Sequence, residues 1–313
     1  MKLFFRIGIM LQLKVTNETS KLKAVILGIA NSNGPIPSLE EAYDPKSAQH
    51  IKNGTYPKEG DMILEMNAVA KVLHKYNVQV FRPKVIEDYN QIFSRDIAFV
   101  IDDKLIKANI LPDREKEYQA ISHVINQIDP KKIIKLPEDC HIEGGDVMPW
   151  NDYIFIGTYS ESDYSSYITA RTNKQAVNAI KQLFPHKKIK AFDLRKSNTN
   201  PKENALHLDC CFQPIGTNKA IIHKNGFLNE DDYDWLVNFF GEENIFEITK
   251  DEMYHMNSNI FSISENVIIS EKNFTRLNIW LRENGFVVEE VPYAEIAKQE
   301  GLLRCSTLPL VRE

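Results

Sequence analysis

Apolar and polar positions along the chain form a unit that recurs about every fifty residues. Short apolar runs are typical of buried strands, whereas apolar residues three and four positions apart predict an amphipathic helix. Four successive units have the order strand, strand, helix, strand. Their predicted strands are 97–101, 104–108 and 133–136; 146–149, 153–157 and 188–193; 209–215, 219–223 and 244–248; and 259–263, 266–270 and 286–291. The helices are predicted near 114–127 and over 173–184, 231–240 and 275–284.

The first unit differs, because only its strands 23–30 and 78–82 and its helix 62–76 are evident. The apolar stretch 307–312 could supply the missing second strand and close a ring between the two chain ends. A ring of this kind is a radial architecture, in which repetition leaves few open sheet edges. An open α/β sheet with alternating strands and helices is the alternative that the pattern alone leaves standing.

No linker or low-complexity segment divides the chain, so one α/β domain is predicted. We expect it to span residues 13–313 and to follow an N-terminal extension over residues 1–12. Met10 could be the biological start, with residues 1–9 an added leader.

Polar residues favour the ring over the open sheet. The segment just before the first strand of each unit carries a group that can do chemistry. These groups are Asp96; Glu143 and Asp146; His207 and Asp209; Asn257; and Cys305. Equivalent positions of units arranged around an axis converge on that axis. We therefore expect these side chains to line one central pocket.

Composition limits the partners that the chain can have. The formal net charge of −5 argues against a nucleic acid or a membrane surface, which attract a basic excess. No apolar run approaches the roughly 18 residues of a membrane span. The four cysteines show no paired spacing, which is typical of reduced thiols. We expect a cytoplasmic protein with a small-molecule partner. The composition does not decide whether the chain forms a homo-oligomer.

The predicted pocket suits attack by a thiolate on a small planar cation. Cys305 would be the nucleophile, and a guanidinium substrate would itself favour the thiolate. Carboxylates pair with the fork of guanidinium N–H donors, so Asp96 and Asp209 are candidates for holding it. His207 would protonate the leaving amine and then activate water, with Glu143 as its orienting acceptor.

Each of these residues also has an ordinary structural interpretation. An HxD sequence is usually a half-buried polar pair, a Gly-Gly pair favours turns, and a lone cysteine often serves as a small apolar residue. A zinc site from His207, Asp209, Cys210 and Cys211 is possible by ligand type. We disfavour it because adjacent strand residues point to opposite faces.

The ordered set of motifs resembles one family. The strings FSRDIAFV, IEGGDVM, HLDCCF, MNSN and GLLRCSTLPLVRE are similar, in that order, to the guanidino-group modifying enzymes of the pentein superfamily. These include arginine deiminase, dimethylarginine dimethylaminohydrolase and arginine:glycine amidinotransferase. The resemblance runs from about residue 22 to residue 313 and implies a five-bladed α/β propeller around a central active-site channel. It also implies a covalent thiouronium-type intermediate on the cysteine, with no metal and no cofactor.

By matching position, the resemblance implies the roles already suggested for Cys305, His207 and Glu143, and for Asp96 and Asp209 as substrate ligands. It adds two arginines, Arg114 and Arg171, which match positions that bind the α-carboxylate of an amino-acid substrate in relatives. The alternative for both is a solvated arginine at a helix start.

Two activities are compatible with these motifs. The first is hydrolysis of a C–N bond of an arginine-like compound, and the second is transfer of the amidino group to an amine. MNSN departs from the Ser-Ser pair of arginine:glycine amidinotransferase, which weakens the second. The long polar and aromatic segment 158–170 is predicted to be a lid over the pocket.

Overall fold

The computed structural model describes residues 10–313 and contains five small sheets, each of three strands. The predicted leader at residues 1–9 lies outside the described residues. The strands are β1 (Leu22–Leu27), β2 (Gln79–Phe81), β3 (Ala98–Ile101), β4 (Lys104–Lys107), β5 (Ile133–Lys135), β6 (Val147–Trp150), β7 (Tyr153–Thr158), β8 (Lys188–Asp193), β9 (Phe212–Ile215), β10 (Lys219–Ile222), β11 (Ile245–Glu247), β12 (Phe261–Ser264), β13 (Val267–Glu271), β14 (Val287–Val291) and β15 (Thr307–Arg312).

All five sheets have the same construction. The middle strand pairs antiparallel with one neighbour and parallel with the other, as β4 does with β3 and β5. In the sheet of the first unit the antiparallel partner of β1 is β15, with Leu22 opposite Arg312 and Leu27 opposite Thr307. The C-terminal strand therefore completes the first unit. The five-unit α/β fold is confirmed, and the open sheet is excluded.

The long helices lie where the periodicity predicts them, and three short helices are additional. The helices are α1 (Pro45–Lys52), α2 (Glu59–Lys75), α3 (Ser94–Ile97), α4 (Glu115–Ala120), α5 (Ser122–Ile125), α6 (Lys174–Leu183), α7 (Glu230–Phe240), α8 (Lys250–Tyr254) and α9 (Thr275–Glu283). The predicted helix near 114–127 is interrupted at Ile121, so it forms α4 and α5. The unpredicted α1, α3 and α8 are only four to eight residues long, too short to show a helical period.

The first residues of the strands predicted to begin at 146 and 209 form tight helical turns instead. Gly144–Asp146 precedes β6, and Leu208–Cys210 precedes β9. A side chain at Gly144 would lie 2.1 Å from the carbonyl oxygen of Arg95, so this turn packs too closely for any residue with a Cβ. These turns carry Asp146 and Asp209 and directly follow Glu143 and His207.

The apolar faces of the sheets and helices form the core. The segment before β1 belongs to it, since Leu13 and Val15 are buried in one cluster with Leu308 and Leu310 of β15. Within residues 10–313, none of the helices has both the length and the apolar character needed to span a membrane.

Candidate active site

The predicted convergence occurs at one cavity. It has a volume of about 760 Å³ and is lined by Asp96, Arg114, Arg171, His207 and Cys305, among others. These five residues lie, in the same order, in the short helix α3, in the turn before α4, in the segment before α6, in the turn before β9 and in the turn before β15. The fold therefore brings a thiol, an imidazole, a carboxylate and two guanidinium groups to one place.

His207 is buried and contacts Glu143 directly. Its Nε2 lies 2.8 Å from Oε2 of Glu143, and its Nδ1 lies 3.9 Å from Oδ1 of Asp96. Burial alone would lower the pKa of the imidazole, but the carboxylates of Asp96, Glu143 and Asp146 outweigh burial and raise the pKa to about 9. The imidazole is therefore charged at neutral pH and can donate a proton.

Glu143 is the centre of a buried charge network. Its Oε1 accepts a hydrogen bond from Nη1 of Arg171 at 3.2 Å, and Nη1 of Arg114 lies 3.8 Å from Oε2. Although burial opposes ionisation, Arg171 and the hydrogen bond from His207 hold the pKa of Glu143 far below its usual value. Glu143 therefore stays ionised and keeps Nε2 of the imidazole protonated.

Cys305 lies beside a carboxylate and an amide. Its Sγ is 3.6 Å from Oδ2 of Asp209 and 3.1 Å from Nδ2 of Asn259. Burial, followed by the negative charges of Asp209 and Asp96, raises the pKa of the thiol well above its usual value. The sulfur is therefore a neutral thiol until a positive charge enters the cavity.

Asp209 is held by Arg304, which is fully buried. Nη1 of Arg304 donates to Oδ2 of Asp209 at 2.9 Å, while Nε and Nη2 donate to the two carboxylate oxygens of Glu18 at 3.1 and 3.2 Å. The remaining donors reach backbone carbonyls, including that of Val147 at 2.7 Å. The sequence predictions included neither Arg304 nor Glu18, although a basic residue next to the predicted nucleophile was a signal.

Asp96 has one occupied and one free carboxylate oxygen. Oδ2 accepts from Arg114 at 3.0 Å, whereas Oδ1 is buried without a hydrogen-bond partner among the described residues. An unpaired buried acceptor is costly, so it indicates a missing donor. Burial raises the pKa of Asp96, and the charges of His207 and Arg114 oppose that rise.

The two arginines differ in how many donors they have left. Arg114 donates through Nε and Nη2 to Glu117 at 2.7 and 3.1 Å, and through Nη2 also to the Phe93 carbonyl at 3.3 Å. With Asp96 and Glu143 also beside Nη1, its guanidinium is surrounded by protein acceptors. Arg171 donates one hydrogen bond from each of its three nitrogens. Two of its five N–H groups therefore have no hydrogen-bond acceptor among the described residues.

Segment 158–170 keeps Arg171 at the cavity wall. The Nε of Arg171 donates to the Ile168 carbonyl at 2.7 Å, and Ile168 itself lines the cavity. A second segment, which connects β1 to α1, also lines the cavity. The sequence predictions did not include it. It contributes Tyr43, whose carbonyl accepts from Nη2 of Arg171 at 3.0 Å.

Four residues predicted to line the pocket are not in the cavity wall: Glu143 and Asp209 contact residues that line it, whereas Asp146 and Asn257 make other contacts. Asp146 accepts from the Thr172 hydroxyl at 2.6 Å and from the Leu208 N–H at 2.9 Å, so it braces the turn that carries His207. Asn257 lines a separate cavity beside α8 and α9. Asn259, two residues later, contacts the sulfur of Cys305 instead.

One group of side chains has the spacing of a metal site. The ligand atoms of Asp96, Glu143 and His207 all lie within 4.8 Å of one another. Both carboxylates are already paired with arginine, so their charge is balanced by protein cations. The zinc site weighed from the sequence is not formed in the described chain; residues 208–210 are a helical turn rather than the strand assumed in that argument.

The chain matches one family model and is similar to several known proteins. The family model described as N,N dimethylarginine dimethylhydrolase, eukaryotic, matches residues 46–312. Uncharacterized protein YkgA of Bacillus subtilis (strain 168) is 29% identical over 246 residues, covering 78% of both chains. Arginine deiminase of Pediococcus pentosaceus is 25% identical over 297 residues, covering 82% of this chain and 70% of that one.

A solved structure agrees with the fold. The N-terminal domain of ArgZ, an arginine dihydrolase from cyanobacteria, superposes with a TM-score of 0.75 at 15% identity, covering 93% of this chain and 98% of that one. At this identity the likeness concerns the fold alone. The family match covers most of the chain, and all five repeated units are present. The chain therefore belongs to the N,N dimethylarginine dimethylhydrolase family, within the pentein superfamily of guanidino-group modifying enzymes.

Proposed function

We propose that the chain is a cysteine-dependent hydrolase that cleaves a C–N bond at the guanidinium carbon of an arginine-like small molecule. The reaction would pass through a covalent thiouronium intermediate on Cys305. One observation carries the proposal: a thiol, a charged imidazole and a carboxylate with an unpaired buried oxygen meet in one cavity.

The substrate guanidinium would lie between Asp96 and Asp209. Oδ1 of Asp96 lacks a partner among the described residues, and Oδ1 of Asp209 has only the distant Sγ of Cys210, at 3.9 Å. A guanidinium supplies donors for both. Its charge would offset the two carboxylates that raise the pKa of Cys305, so substrate binding would lower that pKa, and the thiol would lose its proton to solvent and become the thiolate.

In the first half-reaction the thiolate would attack the guanidinium carbon and form a C–S bond. The C–N bond would then break as the leaving nitrogen takes a proton from His207. Nε2 of His207 is occupied by Glu143, so Nδ1, on the Asp96 side, is the nitrogen placed to transfer that proton. In the second half-reaction neutral His207 would take a proton from water, whose oxygen attacks the same carbon, and the C–S electron pair would return to sulfur.

The far end of the substrate would meet Arg171. The sequence predicts an α-amino-acid substrate on the strength of Arg114 and Arg171, but Arg114 is committed to Glu117 and Asp96. Recognition of an α-carboxylate therefore rests on the two free N–H groups of Arg171.

A substrate panel tests the proposal. Arginine, methylated arginines, agmatine and guanidinoacetate should be assayed for release of ammonia or amine, with and without glycine, ornithine or lysine as acceptor. Acceptor-independent turnover of at least one compound is the expected result. Turnover only with an acceptor would assign a transferase instead, and no turnover of any compound would contradict both.

A further inference from the structure

Asn259 has an orientation that its neighbours fix completely. It lies between α8 and β12 and is fully buried. Its Oδ1 faces the backbone N–H groups of Arg304 at 2.9 Å and Cys305 at 3.2 Å. A backbone N–H can only donate, so the oxygen of the amide must be on that side. The NH₂ group must therefore face the opposite way.

The NH₂ group faces the nucleophile. Nδ2 lies 3.1 Å from Sγ of Cys305 and 3.4 Å from the carbonyl oxygen of Asp209, which also accepts from the Ser258 hydroxyl at 2.9 Å. The same amide thus holds the backbone of Cys305 with its oxygen and the sulfur of Cys305 with its nitrogen.

This donor counters the negative surroundings of the sulfur. Burial and the carboxylates of Asp209 and Asp96 raise the pKa of the thiol, whereas the Asn259 N–H acts to lower it. A thiol sulfur is a weak acceptor and a thiolate is a strong one, so the bond is stronger in the charged form.

We propose that Asn259 is a catalytic residue of the hydrolysis proposed above, donating Nδ2–H to the sulfur of Cys305 whenever that sulfur carries charge. The inference rests on the proposed function. The sulfur is charged before the C–S bond forms and again when the electron pair of that bond returns to it. Asn259 thus assists both half-reactions: its N–H donates to the attacking thiolate in the first and to the departing sulfur in the second.

Three variants isolate this donor. In Asn259→Asp one carboxylate oxygen keeps the two backbone N–H groups and the other places an acceptor against Sγ. Asn259→Ala removes the donor without adding a charge, and it decides the outcome if the aspartate variant does not fold. Asn257→Asp is the matched control, since it adds a carboxylate to the same loop but lines another cavity. Thermal unfolding shows which variants are folded.

The readouts are the rate of iodoacetamide alkylation at Cys305 against pH, located by peptide mass spectrometry, and the turnover number. Alkylation at pH 8 should fall about tenfold or more in Asn259→Asp and several-fold in Asn259→Ala, and turnover should fall at least as much. Asn257→Asp should resemble wild type. A folded Asn259 variant with wild-type alkylation or wild-type turnover would overturn the proposal. A wild-type enzyme that turns over no guanidino compound would refute the proposed function, while the alkylation rates would still decide whether Asn259 stabilises the thiolate.

Discussion

Replacing Glu143 with glutamine should move the upper pH limit of turnover downward. The substitution keeps the shape of the side chain but removes the charge next to Nε2 of His207, 2.8 Å away. The pKa of His207 is raised from 6.5 to about 9 against the effect of burial, chiefly by the carboxylates of Asp96, Glu143 and Asp146. Loss of one of these three should lower that pKa by roughly one unit, equivalent to about 1.4 kcal/mol.

The direction of this pH shift depends on the role of the imidazole as an acid. The leaving nitrogen needs a proton from charged His207, so turnover should decline as pH rises through the pKa of that residue. In wild type the decline should centre near pH 9. In Glu143→Gln it should centre about one pH unit lower, with a reduced maximum because the variant also loses the charge that holds Arg171 at 3.2 Å.

The assay is kcat/KM between pH 6 and pH 10.5, because its pH dependence reports the pKa values of groups in the free enzyme. Glu117→Gln is the matched control, because it removes a buried carboxylate that pairs with Arg114 and does not contact His207. Its decline should stay near pH 9. If Glu143→Gln kept the wild-type limit, the titration would not belong to the His207–Glu143 pair and the assignment of His207 as the acid would fail.

Three further substitutions have definite expected outcomes. His207→Ala should lower the rate constant by about 10²–10⁴-fold, with partial recovery for a substrate whose leaving amine has a low pKa; an effect on KM alone would make it a contact residue. Arg171→Ala should erase the roughly tenfold preference for arginine over agmatine that one charged contact provides; equal specificity constants for both compounds in wild type would refute carboxylate recognition. Glu18→Gln breaks a buried pair with Arg304 and should cost about 3–5 kcal/mol of unfolding free energy at pH 7. Arg304 holds the pKa of Glu18 below 4.5 despite burial, so this difference, measured by denaturant unfolding, should shrink as pH falls below 4.5; a constant difference would contradict the pairing argument.

The sheets could be predicted because each strand is a short apolar run in a repeating order. The ring could be predicted because the first unit lacked one strand, and the apolar stretch 307–312 belonged to none of the other four units. Equivalent positions in such a ring converge, which is why the sequence could predict that Asp96, His207 and Cys305 line one cavity.

Other parts of the site depend on turns and on distant pairing that no local pattern encodes. Asn259, and not Asn257, reaches the sulfur, in a turn that includes the left-handed residue Met256. Glu18 and Arg304 are 286 residues apart in sequence, and only the folded ring brings them together. Asp146 was predicted to line the pocket because it lies at the start of the first strand of its unit, yet in the helical turn it accepts from the Leu208 N–H instead.

The family resemblance predicts that Arg114 binds a substrate carboxylate, but in the structure its donors face protein acceptors. Its position matches an arginine that binds a carboxylate in relatives, but Glu117, three residues later, engages its Nε and one Nη2 proton. Because the i to i+3 spacing on one helical turn makes this pair, the spacing was a local signal that the sequence prediction did not use.

Mass spectrometry of the acid-quenched reaction tests the central claim most directly. During steady-state turnover, the peptide containing Cys305 should carry an adduct with the mass of the substrate less the ammonia or amine that is released. The adduct should be absent in Cys305→Ser, which should also lack turnover while retaining its fold and substrate binding. An adduct on another residue, or full activity in Cys305→Ser, would contradict the proposed nucleophile.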